Sequence, residues 1–414
     1  MNKVLISNEQ SSLQRIDSKC IDCGQCLEVC KTCNGLKDGD CIHCGACILK
    51  CPMGALVPKY NYKEVIANLH DEEKIVVASV SPAVRVSIGD EFGYPPGAFL
   101  EEKLVGVLKA LGFDYVLDTT FGADLTVMEE ASEFIERLNQ KKRPMFTSCC
   151  PSWIAFMKKY HENDLGLLSS TKSPIRMQGA IIKTYFAQLK QLNPEDIVTV
   201  FVTPCVSKKT EILNDGFCDY VITTSELAMM IREQSLDFKT VSEKKFDSLL
   251  GKGSSSGLIF GASGGVLNAV IRTGYYLLNH ETPPPELVEL SHLKGTDSFK
   301  EMEVDLKVCK INVAIVYGLR NLNSLYDSLK EKYDLIEVMT CDLGCVGGGG
   351  QPIVPINKKE EYIRERRKSL YQQDSNETCF SYENPEIKMI YDTFLDHPLS
   401  KKSKELLHFN HEER

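Results

Sequence analysis

The hydrophobic pattern of the chain changes at about residue 74, where short apolar, β-branched runs begin to alternate with amphipathic stretches. The amphipathic stretches Leu125–Leu138 and Ser225–Gln234 have the spacing of helices. This alternation predicts an α/β fold with largely parallel sheets flanked by helices. The runs that predict strands are residues 74–82, 114–121, 143–150, 197–205, 219–225, 258–265, 312–318 and 336–341.

Three polar or charged stretches interrupt this alternation. Residues 235–256 are rich in serine and glycine, and residues 280–300 contain a Thr-Pro-Pro-Pro run, so both predict surface loops. The chain from Glu360 onward is strongly charged, with helical spacing in Glu386–Leu395 just after Pro385. We expect this last stretch to wrap the protein surface.

The composition is ordinary for a globular protein except for its 17 cysteines among 414 residues. The amino terminus lacks the basic start and apolar run of a secretory signal, and no run approaches the roughly 18 apolar residues that span a bilayer. We therefore expect a cytoplasmic protein without a membrane partner, whose reduced thiols serve as metal ligands. The net charge of −9 argues against nucleic acid as a partner.

Nine of the cysteines fall between Cys20 and Cys51 and form an internal repeat, CIDCGQCLEVC followed by CIHCGACILKC. The doubled spacing, with Pro52 after the last cysteine, is that of a two-cluster bacterial ferredoxin, in which the fourth ligand of each run crosses to the other cluster. We expect a small α+β ferredoxin-like head over residues 1–58. Its predicted [4Fe–4S] ligand sets are Cys20, Cys23, Cys26 and Cys51 for one cluster, and Cys41, Cys44, Cys47 and Cys30 for the other.

Two alternatives stay open for this head. Paired Cys-x2-Cys motifs also bind zinc, although two complete four-cysteine runs favour iron–sulfur clusters. Cys33 is a spare thiol near the first loop and could replace Cys30 as a ligand, although an unligated Cys33 is favoured. The predicted role of the head is electron transfer.

Three further cysteine motifs lie in the large region, at residues 147–153, 203–211 and 339–352. Ligands of parallel sheets sit beyond the carboxyl ends of the strands, and four thiolates there could hold one more cluster. Lys208 could face an anionic ligand, and the glycine run after Cys345 would let backbone N–H groups approach a bulky group. These features predict a buried anionic metal cofactor. The cysteines at predicted strand ends are Cys149, Cys150, Cys205 and Cys341.

In their order, the three motifs resemble the signatures of the iron–iron hydrogenases, and the likeness extends to the segments Arg367–Tyr371 and Glu405–Phe409. The resemblance implies a two-lobed catalytic domain over residues 59–359, with a helical extension over residues 360–414. It also implies the H-cluster, a [4Fe–4S] cubane joined through one cysteine to a two-iron centre with carbon monoxide, cyanide and azadithiolate. By motif, the cubane ligands would be Cys150, Cys205, Cys341 and Cys345, with Cys345 as the bridge.

Around the two-iron centre, the resemblance implies that Lys208 donates to a cyanide and that Met339 packs beside the irons. The other cofactor contacts expected from it are Pro82, Ser207 and Phe260. Three positions depart from the pattern common in the family and suggest a divergent subgroup: Ala83 replaces a serine, Thr203 a methionine and Ile175 a glutamine.

The resemblance also implies a proton route. Cys149 would exchange protons with the bridging amine of the two-iron centre, since vicinal cysteines point in different directions and seldom ligate one cluster together. The route would continue through Glu130, Ser169 and Glu133, with Arg137 at its surface mouth. The glutamates lie three residues apart and share a helix face, and buried carboxyls with raised pKa values can pass protons at neutral pH.

The implied function is the reversible reaction 2H+ + 2e− = H2, with ferredoxin or a similar carrier as electron partner and maturation proteins that install the two-iron unit. The alternative is a non-catalytic relative, either an iron–sulfur assembly factor or a hydrogen sensor. The complete motif Thr147–Trp153 argues against the first, and the presence of Cys149 argues against the second. A third interpretation, a subunit of a larger flavin-containing complex, stays open.

Overall fold

The computed structural model describes residues 4, 12–34, 36–37, 40–213, 215–288, 294–296, 298–376 and 378–412, without the side chains of residues 32–34 and 321. The strands in this part of the chain are β1 (Leu13–Arg15), β2 (Leu56–Pro58), β3 (Ile75–Val80), β4 (Tyr115–Asp118), β5 (Met145–Phe146), β6 (Ile197–Thr203), β7 (Tyr220–Thr223), β8 (Lys294–Gly295), β9 (Phe299–Asp305), β10 (Lys310–Tyr317) and β11 (Leu335–Met339).

The α-helices of the first 200 residues are α1 (Gln25–Asn34), α2 (Ala46–Lys50), α3 (Tyr62–Leu69), α4 (Pro82–Arg85), α5 (Glu101–Ala110), α6 (Thr119–Asn139), α7 (Pro151–Tyr160), α8 (Pro174–Ile181) and α9 (Ala187–Lys190). Those of the remaining chain are α10 (Lys208–Glu211), α11 (Thr224–Glu233), α12 (Ser255–Leu258), α13 (Gly265–Asn279), α14 (Pro285–Val288), α15 (Leu322–Lys332), α16 (Lys359–Asn376), α17 (Pro385–Ile390) and α18 (Lys401–Leu407). No helix in the described part of the chain combines the length and apolar character that a bilayer crossing demands.

The head has the expected α+β architecture. Strands β1 and β2 pair antiparallel, with Leu13 opposite Pro58, and α1 packs against α2 between them. Leu13, Val29 and Ile48 join one apolar cluster that holds the two halves together. The alternative ligand Cys33 lies in α1, but its side chain is outside the described residues.

A fully parallel sheet, in the order β4-β3-β6-β7, forms the first lobe of the large region. Every residue of β6 is buried. Because successive strand residues point to opposite faces, Val200 packs into one apolar cluster and Phe201 into another. Burial on both faces is the reason that the strand sequences here are almost continuously apolar.

A mixed sheet, in the order β5-β11-β10-β9-β8, forms the second lobe. Strands β5, β11 and β10 are parallel, while β9 and β8 are antiparallel to their neighbours. Strand β9 begins at the end of the stretch expected to be a surface loop and was not among the predicted strands, although Met302 and Val304 are buried between exposed charged residues. The prediction of largely parallel sheets is otherwise confirmed.

Helix α6 lies between the lobes and packs against α8 and α13. It begins where the Asp118 side chain accepts a hydrogen bond from Thr120 N at 2.8 Å. Leu125 belongs to the apolar core of the first lobe and Val127 to that of the second. A helix buried on both sides can carry polar side chains into the interior between the lobes.

Residues 258–265 do not form the predicted strand. Helix α12 ends at Leu258, a 3-10 turn covers Ile259–Gly261, and α13 begins at Gly265. The Ser254 side chain accepts a hydrogen bond from Gly257 N and starts this helical run. A short apolar run cannot by itself distinguish a buried helix from a strand.

The stretch after residue 360 is helical as expected, but it does not merely wrap the surface. Arg366 forms a buried ion pair with Asp90 at 2.5 Å, and Arg272 forms one with Asp374 at 2.8 Å. Leu370 is fully buried as well. This stretch is part of the core of the large region. The segment 235–256, also expected to be a surface loop, contributes the buried residues Phe238 and Leu250 to that core.

Candidate active site

A largely apolar cavity lies beyond the carboxyl ends of the parallel strands of both sheets. Cys205 follows β6 of the first lobe by two residues, and Cys341 follows β11 of the second lobe by two residues. Cys150, Cys345 and Cys149 line the same cavity. The fold therefore brings four predicted cubane ligands to one place from three separate stretches of chain.

Burial dominates the electrostatics of these thiols. It raises the pKa of Cys205 to about 12, with a further rise from Cys150. Burial and neighbouring thiols also raise the pKa values of Cys341 and Cys345. Clustered thiolates are disfavoured in such a setting unless metal cations neutralise them. The donor set thus fits a group that contains several iron ions and sulfur ligands.

The side chains predicted to contact the cofactor divide into two groups. Pro82, Phe260, Met339 and Lys208 line the cavity. Ser207 is not part of its wall, and its buried hydroxyl has no hydrogen-bond partner among the described residues. Ser207 directly precedes α10, and its contact with a cofactor stays a prediction.

Lys208 is held at the cavity wall by two contacts. Its Nζ donates to the backbone oxygen of Cys149 at 3.1 Å and forms an ion pair with Glu211 at 2.6 Å. Burial alone would lower the pKa of Lys208, but Glu211 and the thiols nearby outweigh burial and raise it. The ammonium group is therefore charged and can donate to an anion in the cavity.

The three departures from the common family pattern all lie on the cavity wall: Ala83, Thr203 and Ile175. The Thr203 hydroxyl donates to the backbone oxygen of Cys205 at 3.1 Å, so it supports the ligand loop. Ala83 and Ile175 offer no hydrogen bond to a bound group. This part of the wall is accordingly apolar.

The glycines after Cys345 serve mainly the packing of the protein against itself, which corrects the expectation of a cofactor-facing loop. A Cβ on Gly348 would lie 2.4 Å from the backbone oxygen of Pro204, and one on Gly349 would lie 2.6 Å from that of Cys44. The N–H of Gly348 donates to the Cys345 backbone oxygen at 2.9 Å. Of the four glycines, Gly348 alone lines the cavity.

The head gathers its thiols in two sets. One small cavity is lined by Cys20, Cys23, Cys26 and Cys51. In the other set, the pKa of Cys47 is raised by burial first and then by the nearby thiols of Cys44, Cys30 and Cys41. The backbone N–H groups of Val4, His43 and Ala55 donate to sulfurs of Cys26, Cys41 and Cys51 at 3.3–3.4 Å. The two groupings are those that the crossed ferredoxin spacing predicts.

The head and the large cavity meet at Cys44 and Cys341. These two residues line one small cavity, and the Cys44 thiol contributes to the raised pKa of Cys341. Gly45 has a φ of +74°, and a Cβ there would lie 3.0 Å from the Cα of Gly349. Because Gly45 and Gly349 have no side chains, their backbones can come into contact, and the second thiol set of the head lies close to the cavity thiols.

Glu130 is fully buried on α6, beside the Ser169 side chain and the Ser148 backbone. Burial raises its pKa to about 8, and the nearby Glu133 adds to the rise. Burial and Glu130 in turn raise the pKa of the Cys149 thiol. A neutral carboxyl group therefore faces a neutral thiol at the edge of the cavity.

Glu133, one helical turn beyond Glu130, is held by several donors. The hydroxyls of Ser169 and Ser170 donate to its Oε2 at 2.9 and 3.0 Å. Arg137 forms an ion pair with its Oε1 at 2.7 Å and is only partly buried. Glu130, Ser169, Glu133 and Arg137 thus lie one after another from the cavity edge to the surface, in the predicted order, and the proton route itself stays a prediction.

Sequence reasoning missed three polar partners of this route. Ser170 donates to Glu133 from its hydroxyl and from its N–H at 2.9 Å, and the Thr171 hydroxyl lies 2.9 Å from that of Ser169. Glu337 is fully buried and accepts from the N–H groups at the start of α13. Ser170 and Thr171 adjoin Ser169 in the chain, so they could have been found from the sequence. Glu337 could not, because only the fold brings it close to this route.

Comparisons with known proteins agree with this architecture. The family model described as iron only hydrogenase large subunit, C-terminal domain, matches residues 74–349, and that of the iron hydrogenase small subunit matches residues 360–414. The chain is 37% identical to the NADP-reducing hydrogenase subunit HndD of Solidesulfovibrio fructosivorans, over 96% of this chain and 67% of that protein.

The solved structure of the apo [FeFe]-hydrogenase HydA1 from Chlamydomonas reinhardtii is similar, with a TM-score of 0.74 and 34% identity over 84% of this chain and 98% of that one. A cytosolic Fe-S cluster assembly factor, narfl of Danio rerio, is 30% identical over 81% of this chain and 86% of that protein. The matched relatives therefore include proteins named as hydrogenases and proteins named as assembly factors. By its family models, its relatives and its fold, the chain belongs to the iron-only hydrogenase family.

Proposed function

We propose that this protein is a catalytic iron–iron hydrogenase that interconverts protons, electrons and H2. The observation that carries the proposal is the pairing of Cys149 with Glu130 at the edge of a cavity that four other thiols line. A protein that only transfers clusters has no need for a buried carboxyl with a raised pKa beside a non-ligating thiol. The proposed proton donor Cys149 and the four proposed metal-binding thiols line the same cavity, which supports the proposal.

In this proposal, the cavity would hold an H-cluster, with Cys150, Cys205, Cys341 and Cys345 as its cysteine ligands. When bound, this group supplies the two-electron chemistry and the position at which hydrogen forms or is split. Met339, Phe260 and Pro82 exclude water from its surroundings, and the Lys208 ammonium would hold an anionic ligand such as cyanide.

Protons pass through the chain's own groups. Cys149 holds a proton at Sγ, because burial and Glu130 disfavour its thiolate. Glu130 is neutral below about pH 8 and can give a proton to Cys149 or take one from it. Ser169 and Glu133 continue this route, and Arg137 holds Glu133 at the outer end.

Electrons would enter through the head, with one [4Fe–4S] cluster on Cys20, Cys23, Cys26 and Cys51 and one on Cys30, Cys41, Cys44 and Cys47. The partly exposed first set suits exchange with ferredoxin or a similar carrier, and the contact between Cys44 and Cys341 leads into the cavity. Maturation proteins would have to install the two-iron unit. We place the protein in the cytoplasm.

The test is a hydrogen-evolution assay with reduced viologen on fully matured protein. Wild type should be active, and Cys149→Ala should lose several orders of magnitude of activity, because it removes the only proposed proton donor at the cavity. Cys309→Ala is the matched control, since Cys309 is an exposed thiol remote from the cavity lining, and it should keep wild-type activity.

The same assay distinguishes the catalytic proposal from the assembly-factor alternative. If matured wild type carries the two-iron unit, as its carbonyl infrared bands would report, and still evolves no hydrogen, the catalytic proposal is wrong. Equal rates in wild type and Cys149→Ala would remove Cys149 from the proton route.

A further inference from the structure

The C-terminal segment 407–411 lies along the stretch that carries Ser169. Lys172 N donates to the backbone oxygen of Leu407 at 2.8 Å, and Phe409 N donates to that of Ser170 at 2.9 Å. A ring nitrogen of His411 lies 2.8 Å from the Ser169 backbone oxygen. The end of the chain therefore covers the outer part of the proposed proton route.

The His408 ring connects this route to a second buried carboxyl group. Its Nδ1 lies 2.8 Å from the Ser170 hydroxyl oxygen, and its Nε2 lies 2.9 Å from Oε2 of Glu129. Glu129 has no exposed surface, and the His408 side chain is 7% exposed. Because Ser170 also contacts Glu133, an unbroken set of hydrogen bonds joins Glu129, His408, Ser170 and Glu133.

Glu129 is surrounded by donors. The Tyr391 hydroxyl donates to it at 2.6 Å, Leu399 N donates at 2.8 Å, and the Ser403 hydroxyl donates as well. Burial alone would raise the pKa of Glu129, but His408 and these hydroxyls outweigh burial and lower it. Glu129 is therefore a carboxylate at neutral pH, and His408 Nε2 must carry a proton to hydrogen-bond with it.

Counting protons leaves two arrangements for the rest of the set. If the single Ser170 hydroxyl proton points to Glu133, then Nδ1 of His408 must donate to Ser170, and the ring is an imidazolium. If that proton points to Nδ1 instead, the ring is neutral and Glu133 loses one donor. The two arrangements differ by one proton on His408.

We propose that His408, paired with Glu129, stores a proton that Ser170 exchanges with Glu133. The inference rests on the proposed function, since Glu133 matters here as a member of the proton route. In the exchange, Nδ1–H of the imidazolium passes its proton to the Ser170 oxygen while the Ser170 hydroxyl proton moves to Glu133 Oε2. His408 becomes neutral and Glu133 becomes a carboxylic acid, so that charge and atoms balance, and the reverse step reloads the ring.

The charged groups around His408 suit this role. Glu129, Glu133 and Arg137 face the set from α6, and Arg176 of α8 lies over the Phe409 ring at 4.8 Å. His411 is on the same segment, where burial lowers its pKa to about 4, so it is neutral above that pH. The Glu129 carboxylate contacts the His408 ring directly and stabilises an imidazolium, whereas Arg137 is paired with Glu133 and the neutral His411 adds no charge.

The protonation state can be measured without hydrogenase activity. Nitrogen-15 NMR of histidine-labelled full-length protein, with its clusters oxidised and without the two-iron unit, should show both His408 nitrogens protonated at pH 7. His408→Asn identifies the resonance, and Glu129→Gln should convert the ring to its neutral form. A neutral His408 ring at pH 7 in wild type would overturn the proposal whether or not the protein evolves hydrogen.

A second experiment measures the hydrogen-evolution activity of matured protein. His408→Asn keeps a donor for Ser170 but cannot titrate, so the maximal rate should fall about three- to tenfold and its alkaline pH dependence should change, with KM for the electron carrier unchanged. An unchanged pH profile would overturn proton storage and leave His408 a merely structural residue. His397→Asn, which changes an exposed histidine on the same part of the chain, should match wild type.

Ser170→Ala provides a second variant if His408→Asn lowers Tm strongly. It leaves His408 and Glu129 paired but removes the hydroxyl that links them to Glu133. The rate and pH profile should change as in His408→Asn while NMR still reports an imidazolium. A rate and pH profile equal to those of wild type would contradict the exchange step.

Discussion

The head and the large cavity use the same ligand, the cysteine thiol, in opposite settings. The head takes all its thiols from the short stretch between Cys20 and Cys51, and Cys23 is exposed. The cavity takes Cys150, Cys205 and Cys345 from distant parts of the chain, and burial raises the pKa values of Cys205 and Cys345. A local, partly wet site suits exchange with a partner, whereas an assembled, dry site suits a reaction that water must not disturb.

Among our predictions, the largest change in activity is expected when one thiol is removed from each region, and the loss should be much greater for the cavity thiol than for the head thiol. Cys205→Ser deprives the proposed cubane of one of its four thiolate ligands, so viologen-driven activity should disappear. Cys23→Ser should keep most of that activity, because small viologens can reduce the inner clusters directly, while ferredoxin-driven activity falls about tenfold. The measurements are the iron content of the two variants and their hydrogen evolution with viologen and with ferredoxin.

Equal losses in the two variants would contradict the division of labour between the regions. Cys309→Ser is a control for thiol loss as such, and we expect unchanged iron content.

Glu130→Gln should reduce hydrogen evolution by about 10²–10⁴-fold, because glutamine keeps the size of the side chain but cannot pass a proton. Reduction of the head by dithionite, followed by electron paramagnetic resonance, should be unaffected. A variant that also failed to reduce its head clusters would point to a folding defect rather than to a broken proton route.

The same variant should change the pH dependence of stability. The folded pKa of Glu130 is raised to about 8 from an ordinary value of 4.5, so its neutral form stabilises the folded state fully below about pH 4.5, and this contribution is lost as pH rises through about 8. Wild-type Tm should therefore fall relative to that of Glu130→Gln between pH 5 and 9. Parallel Tm curves would contradict the raised pKa.

Gly349→Ala tests the junction between the regions and should have the smallest effect. A Cβ there would lie 2.6 Å from the Cys44 backbone oxygen and 2.6 Å from the Gly45 Cα, so the head must shift away. Ferredoxin-driven activity should fall severalfold, with viologen-driven activity nearly unchanged, since electron transfer weakens with distance. Gly274→Ala in α13 is the control, because nothing lies within 4 Å of its added Cβ and its φ is not in the left-handed region.

Much of the fold was predictable because its strands are buried on both faces and therefore read as continuous apolar runs, as in β6. The prediction failed at residues 258–265, where an apolar run of the same kind is helical, and at β9, where charged residues alternate with apolar ones instead of forming an apolar run. The place of Ser207 also could not be predicted, since adjacency to Cys205 does not decide which way a side chain points.

The sequence by itself determined the ligand spacing of the head, because three thiols of each run reach one cluster from a single tight loop. It also identified the thiols and carboxyls that carry the proposed chemistry, because residue type limits what a group can bind or donate. Only the tertiary structure decided that Glu129, Ser170 and His408 form one set, and that Glu130 is neutral. Burial and long-range contact set these properties, and neither can be read from positions along the chain.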